Sequence, residues 1–260
     1  AVISDKKNNR KYPLADYSLT PTIAIVDPAF VLTVPASVTA DTGMDVLTHA
    51  VEAYTSTLAN DYTDGLALQA IKLVFENLES SVKNADFESR EKMHNASTMA
   101  GMAFANAFLG MSHSMAHKIG GFFHTVHGRT NAILLPYVIR YNGTRPAKAA
   151  TWPKYNYYKA DVKFQDIAKM LGLPASTPEE AVDALAKAVY DLGVRVGIDM
   201  SIKGQGVDEK EYMDTVEEIA YLAYEDQCSP ANPRLPMVAD MVEILQDAYY
   251  GYKERPGRIK

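Results

Sequence analysis

From about Pro35 to Tyr250 apolar residues recur every three or four positions, and that period commits most of the chain to packed α-helices. The spacing predicts helices at roughly 43–57, 62–83, 88–109, 111–123, 128–142, 154–171, 178–195, 208–225 and 235–250. Two starts carry local chemistry. Thr177-Pro178-Glu179-Glu180 offers an N-cap, a proline at the first helical position and the reciprocal glutamate of a capping box. Asp208-Glu209-Lys210-Glu211 repeats that logic with aspartate as the cap, and Gly172 and Gly251 sit where helix-ending glycines belong. Small residues at Ala96, Ala100, Gly101, Ala103, Ala105, Ala107 and Gly110 let neighbours approach closely, which places that helix at the centre of a bundle. Pro136 inside the apolar run Ala132–Ile139 predicts a kink.

The first 27 residues read differently. Ala1–Ser4 is a short apolar run, Lys6–Arg10 a polar turn, and Thr22-Ile23-Ala24-Ile25-Val26 a β-branched run ended by Asp27-Pro28. These segments predict strands, yet little else in the chain has strand character for them to join. The expected architecture is mainly α, a helical bundle with a strand remnant at its front edge. The opening on Ala1-Val2-Ile3-Ser4, with neither an initiator methionine nor a signal segment, reads as the middle of a strand and hence as a fragment.

Composition removes several function classes. With 47% hydrophobic and 22% charged residues the chain is that of an ordinary globular protein. A net charge of -6 argues against a nucleic-acid partner, which needs a basic stripe. No apolar run approaches the roughly 20 residues that span a bilayer. The single cysteine, Cys228, rules out an internal disulfide and fits a reducing cytoplasm. A lone cysteine near a helix end reads as inert.

Five of the six histidines, His49, His113, His117, His124 and His127, fall in two short windows. In Asp45-Val46-Leu47-Thr48-His49 the i, i+4 spacing puts a carboxylate and an imidazole on one helical face, about 6 Å apart along the axis. A hydrogen-bonded surface pair would explain that window alone. His113 and His117 share a face in the same way, and His124 and His127 follow close behind. One histidine among Ala, Met and Phe is an ordinary core residue, but four buried rings need something to share. One aspartate with three histidines suits Fe(II) or Zn(II) and argues against Mg and Ca, which prefer oxygen shells. Spacing does not choose among the histidines.

Other catalytic signals are missing. The chain has no Gly-x-Ser-x-Gly elbow, no P-loop, no CxxC, no His-Glu-x-x-His and no His-Asp dipeptide. No glycine-rich loop follows a strand, so a dinucleotide phosphate cradle is not in these residues, and Gly120-Gly121 is too short to be one.

The segments Gly43-Met44-Asp45-Val46-Leu47-Thr48-His49-Ala50-Val51-Glu52-Ala53-Tyr54 and Gly110-Met111-Ser112-His113-Ser114-Met115-Ala116-His117-Lys118-Ile119-Gly120, running on to His127-Gly128, closely resemble the two signatures of the iron-containing (group III) alcohol dehydrogenases. Lys11–Tyr17, Phe123–Gly128 and Asp226-Gln227-Cys228-Ser229-Pro230-Ala231-Asn232-Pro233-Arg234 narrow the resemblance to the alcohol dehydrogenase half of the bifunctional aldehyde–alcohol dehydrogenases.

That resemblance implies the helical C-terminal domain of the dehydroquinate synthase-like, iron alcohol dehydrogenase fold. Residues 31–260 would form the α-helical metal-binding domain, and residues 1–30 a remnant of an N-terminal α/β nucleotide-binding domain. It implies Fe(II), or Zn(II), held by Asp45, His49, His113 and His127. His117 would lie by the nicotinamide and substrate as proton relay, and Phe104 against the nicotinamide end of NAD(H). The implied reaction interconverts acetaldehyde and ethanol in fermentation, in a cytoplasmic homo-oligomer that assembles into filaments at full length. Because the family's pyrophosphate loop is mostly outside this chain, catalysis by the chain alone is expected to be incomplete. Two other readings stay open: a lactaldehyde, butanol or glycerol reductase, and a helical assembly module stapled by the metal.

Overall fold

The structure is a computed structural model that describes residues 2–5, 10–14, 16–146 and 158–252. Among them an antiparallel hairpin, β1 (Val2–Asp5) and β2 (Arg10–Pro13), precedes nine α-helices. These are α1 (Ala36–Thr55), α2 (Asp61–Lys83), α3 (Phe87–Ala107), α4 (Met111–Phe123), α5 (His127–Gly143), α6 (Ala160–Met170), α7 (Pro178–Arg195), α8 (Glu209–Tyr224) and α9 (Val238–Tyr250). The mainly helical class expected from the periodicity is what the chain adopts, and no described helix is long and apolar enough to cross a membrane.

The local signals work as chemistry predicts, with informative exceptions. Thr177 Oγ1 accepts the Glu180 N–H, but the Glu180 carboxylate reaches back to the Ser176 N–H rather than to Thr177, one residue beyond a capping box. Asp208 caps α8 by accepting the Glu211 N–H. Gly172 takes φ +68° and closes α6, with Gly172 N–H on Lys169 O and Leu173 N–H on Ala168 O. Helix α1 starts seven residues earlier than predicted, at Ala36, because Gly43 does not break it. Gly43 instead admits Leu78, whose Cδ1 would stand 2.2 Å from a Cβ there. Pro136 lies inside α5 without ending it. The start predicted for α6 at 154 lies outside the described residues, and the helix begins at Ala160 after the cap residue Lys159.

The Thr22–Val26 run is not a strand. It pairs with no other described segment, and Ile23 and Ile25 are 79% and 87% exposed. The small-residue helix needs a second correction. Ala96, Ala100, Ala103 and Ala107 line one buried face of α3 against α1 and α2, while Met102 and Ala105 on the opposite side are exposed. The centre belongs to α1, which touches α2, α3, α5 and α6.

Two hydrophobic cores divide the bundle. One joins α1, α2, α3, α6 and α7 through residues such as Leu47, Ile71, Leu78, Phe164 and Leu185. The other joins α4, α8 and α9 through Met115, Ile119, Tyr212 and Leu245. Helix α5 serves both, giving Ala132, Leu135 and Ile139 to the first and Ile133, Leu134 and Val138 to the second. At the seam α1, α4 and α5 converge.

If the alanine face of α3 sets its distance to α1 and α2, Ala100→Leu should destabilise the chain by about 1–3 kcal/mol through overpacking. Ala105→Leu on the exposed side should stay within about 0.5 kcal/mol of the parent. Urea unfolding of the two variants compares them directly, and equal losses would contradict this packing.

Candidate metal centre

Asp45 and His49 lie one turn apart on α1, His113 and His117 one turn apart on α4, and His127 opens α5. Ligand-type atoms of Asp45, His113 and His127 all come within 4.8 Å of one another. Asp45 Oδ1 stands 3.7 Å from His113 Nε2 and 3.7 Å from His127 Nε2. Those separations are too long for hydrogen bonds. They fit donors that each bind one first-row metal ion at about 2 Å. His113 is 1% exposed and its Nε2 has no hydrogen-bond partner, which is costly unless something else occupies that lone pair. The donors are one carboxylate and neutral imidazoles, a set that suits Fe(II) or Zn(II).

The His113 ring is aimed from behind. Its Nδ1 sits 2.6 Å from Glu52 Oε2, one of the closest polar contacts in the site. Glu52 also accepts the Gly110 N–H at 3.1 Å and the Ser112 N–H at 2.7 Å. These backbone donors fill the carboxylate, so Nδ1–H donates to it and Nε2 keeps its lone pair. Burial pushes the Glu52 carboxyl up to about 7 against the pull of those N–H groups. Burial likewise drives His113 well below its usual range, aided by the neighbouring His49, and leaves it neutral. Neutral is the form that ligates.

Burial also raises Asp45, but the imidazoles of His49, His113 and His127 and the Asn131 amide outweigh it and hold the carboxyl below its ordinary value. Asn131 Nδ2 donates to Asp45 Oδ1 at 2.8 Å. Entry into α5 is fixed by close backbone approach. A Cβ on Gly128 would come within 2.2 Å of Asp41 O and 3.0 Å of Asp45 Cβ. Arg129 then grips the Asp41 carboxylate with Nε and Nη2 at 2.8 and 3.0 Å.

His49 joins the cluster by its ring face. It stacks on His113 with centroids 4.4 Å apart and on Phe104 at 4.5 Å, so three rings form a short column. Its nitrogens are not in the compact trio. Burial lowers the His49 pKa, opposed by Asp45 and Glu52. Phe104 thus lies beside the cluster, half-buried on α3.

His113 and His117, equivalent by spacing, are not equivalent in place. The His117 ring stacks parallel to His127 at 5.3 Å, and its Nδ1 faces Asp226 Oδ2 at 3.3 Å. Lys118 Nζ reaches the same oxygen at 2.8 Å. His124 is excluded from the cluster: it ends α4 in a left-handed conformation and is exposed. Gly120-Gly121 is simply helical. Cys228 is buried, and burial followed by the charge of Asp226 pushes its thiol up, in keeping with an inert cysteine.

Sequence reasoning missed Glu52, Asn131 and Asp226. Glu52 had a usable signal, since it lies three residues after His49 and seven after Asp45 on the same stretch of helix. Asn131 had one too, since its Nδ2 lies 3.2 Å from His127 Nε2 four residues earlier on α5, whereas Asp226 had none in spacing because its partner lies on another element.

Residues 39–249 match the Fe-containing alcohol dehydrogenase family, C-terminal. The whole chain is 81% identical to 29% of an aldehyde-alcohol dehydrogenase of Streptococcus pneumoniae. Over 96% of its length it is 43% identical to an NADPH-dependent butanol dehydrogenase of Clostridium saccharobutylicum, covering 61% of that protein. An iron-containing alcohol dehydrogenase from Thermococcus thioreducens superposes with a TM-score of 0.81 at 34% identity, over 93% of this chain and 58% of that one. The chain thus spans less than a third of the length of the aldehyde-alcohol dehydrogenase it matches.

The close approach at Gly128 generates a direct test. Gly128→Ala should cost at least about 1–3 kcal/mol and move the start of α5 away from Asp41. Thermal denaturation and a crystal structure of the variant would measure both, and an unchanged Asp45–His127 separation would contradict the role given to Gly128.

Proposed function

The chain belongs to the Fe-containing alcohol dehydrogenase family, and on that premise we propose that it forms the metal-bearing wall of an NAD(H)-linked alcohol dehydrogenase site. One observation carries the reading: the buried, unpartnered Nε2 of His113 converging with His127 Nε2 on Asp45 Oδ1. We assign Asp45, His113 and His127 as ligands of Fe(II), with Zn(II) as the alternative. His49, one turn from Asp45 and stacked on His113, is assigned as the fourth. The similarity to an aldehyde-alcohol dehydrogenase favours acetaldehyde and ethanol as the substrate pair, in fermentative metabolism in the cytoplasm. The butanol dehydrogenase similarity favours a longer-chain aldehyde as the second reading.

A divalent ion held by these residues would supply Lewis acidity toward the substrate oxygen, and NAD(H) would supply the hydride chemistry. The chain's own residues do the rest. Glu52 keeps the His113 proton on Nδ1, so that Nε2 is always available as a donor atom. Phe104, at the end of the ring column, offers an apolar face for the nicotinamide. His117, one turn from His113 and parallel to His127, takes and returns the proton that accompanies hydride transfer. The hairpin and the exposed Ile23 and Ile25 belong, in this reading, to a nucleotide-binding unit that residues 1–30 share with sequence outside this chain. That unit supplies the phosphate cradle for which these residues have no glycine-rich loop.

The ligand assignment separates two neighbours. His113→Ala should abolish metal binding, whereas His117→Ala should retain it while lowering turnover by about 10²–10⁴-fold when the chain is joined to a nucleotide-binding domain of the family. Elemental analysis of both variants decides; equal metal loss would sink the assignment. The 260-residue chain alone should bind one equivalent of metal yet show no NADH-dependent acetaldehyde reduction. Measurable turnover by that chain would overturn the two-walled site.

A further inference from the structure

Behind His117 lies a buried polar cluster that the metal trio does not use. Asp226 is 5% exposed and its two oxygens are fully employed. Oδ1 accepts the Cys228 N–H at 3.0 Å, closing a tight turn, while Oδ2 faces His117 Nδ1 and the Lys118 ammonium. The turn itself is pinned to α4, since Ser229 Oγ donates to Ser114 Oγ at 2.9 Å and the Ser229 N–H returns to Asp226 O. The carboxylate is therefore held at a fixed place against two consecutive residues of α4.

His117, Asp226 and Cys228 bring three ligand-type atoms within 4.8 Å of one another, which would suit a second cation. Two facts argue against that. The Lys118 ammonium already neutralises Asp226 at 2.8 Å, and the thiol is held protonated by burial and by that same carboxylate. The cluster carries its own cation, so its function must be sought in the ring it touches.

We propose that Asp226 is a positioning residue that locks His117 in the Nδ1–H tautomer, leaving Nε2 as the atom that exchanges a proton with the site. The inference rests on the relay reading of His117 given above and deepens it. An ionised carboxylate only accepts hydrogen bonds, so the His117 nitrogen facing it must carry the hydrogen. In a neutral imidazole the other nitrogen then carries the lone pair. Burial pushes the Asp226 carboxyl up, but the hydrogen bonds and charges of His117 and Lys118 prevail and hold it below the usual carboxylate range. Lys118 thus keeps the anchor ionised, and the anchor sets the ring.

Long-range ¹H–¹⁵N correlation spectra of the 260-residue chain loaded with diamagnetic Zn(II) read the tautomer directly, with His117→Gln identifying the signals. The wild-type chain should show His117 as the Nδ1–H form alone; a His117 signal of the Nε2–H form would overturn the proposal. Removing Asp226 by itself would leave the partly buried Lys118 ammonium without its carboxylate and put folding at risk. The informative variant is therefore Asp226→Leu combined with Lys118→Met. It should lose the exclusive Nδ1–H signature while still binding Zn(II), and full retention of that signature would equally refute the assignment. Failure of the relay reading looks different: His117→Ala, in the chain joined to a nucleotide-binding domain of the family, would turn over at the parental rate while the tautomer of the wild-type ring stayed as stated.

Discussion

The buried carboxylate of Glu52 is the interaction on which the rest of the centre depends. It sits on α1 yet caps α4, taking the N–H groups of Gly110 and Ser112 at a helix start whose own cap residue has no side chain to offer. A charge in that position would be expensive in isolation, and the orphan donors and dipole of the α4 N-terminus are what offset it. Asn232 Oδ1 takes the intervening Met111 N–H, so all three amides are satisfied by distant segments. Gly110 is required there, because a Cβ would stand 2.7 Å from Asn232 Oδ1 and 3.0 Å from Glu52 Oε1. The same carboxylate that fixes α4 against α1 therefore also aims the His113 ring.

The third wall is set by packing. Helix α5 is buried between two hydrophobic cores, so its axis is determined on both sides before any polar contact is made. Gly128 lets its first turn touch the α1 backbone, and the paired Arg129–Asp41 contact prevents it from sliding. His127 is delivered to Asp45 by these restraints, and no hydrogen bond between the two is needed. Sites that must hold ligand atoms to within about half an ångström depend on this kind of rigid support.

Periodicity and caps made seven of the nine described helices legible to within a few residues, because those signals are local. The early start of α1 was hidden, since Gly43 reads as a breaker until Leu78 is seen to fill the space it leaves. The Thr22–Val26 run misled for the converse reason: β-branched residues announce strand preference, but a strand is a property of two segments. At the site, i, i+4 spacing correctly put Asp45 with His49 and His113 with His117. It did not distinguish the histidines, because what separates them lies 61 and 109 residues away in Glu52 and Asp226. Resemblance implied a ligand set and named neither of these carboxylates.

The two carboxylates show how one residue type one turn apart can hold different chemistry. Both meet a histidine Nδ1 in a buried setting, and both would otherwise be unfavourable charges. Asp226 is compensated by a full cation, Lys118, so that side of the cleft is electrically balanced. Glu52 and Asp45 meet backbone amides, the Asn131 amide and imidazoles, none of which is a permanent cation. The carboxyl groups of Asp45 and Glu52 therefore meet around His113 with no ammonium or guanidinium among those partners, a setting that a divalent cation would complement. What distinguishes His113 from His117 is thus the set of partners each ring meets.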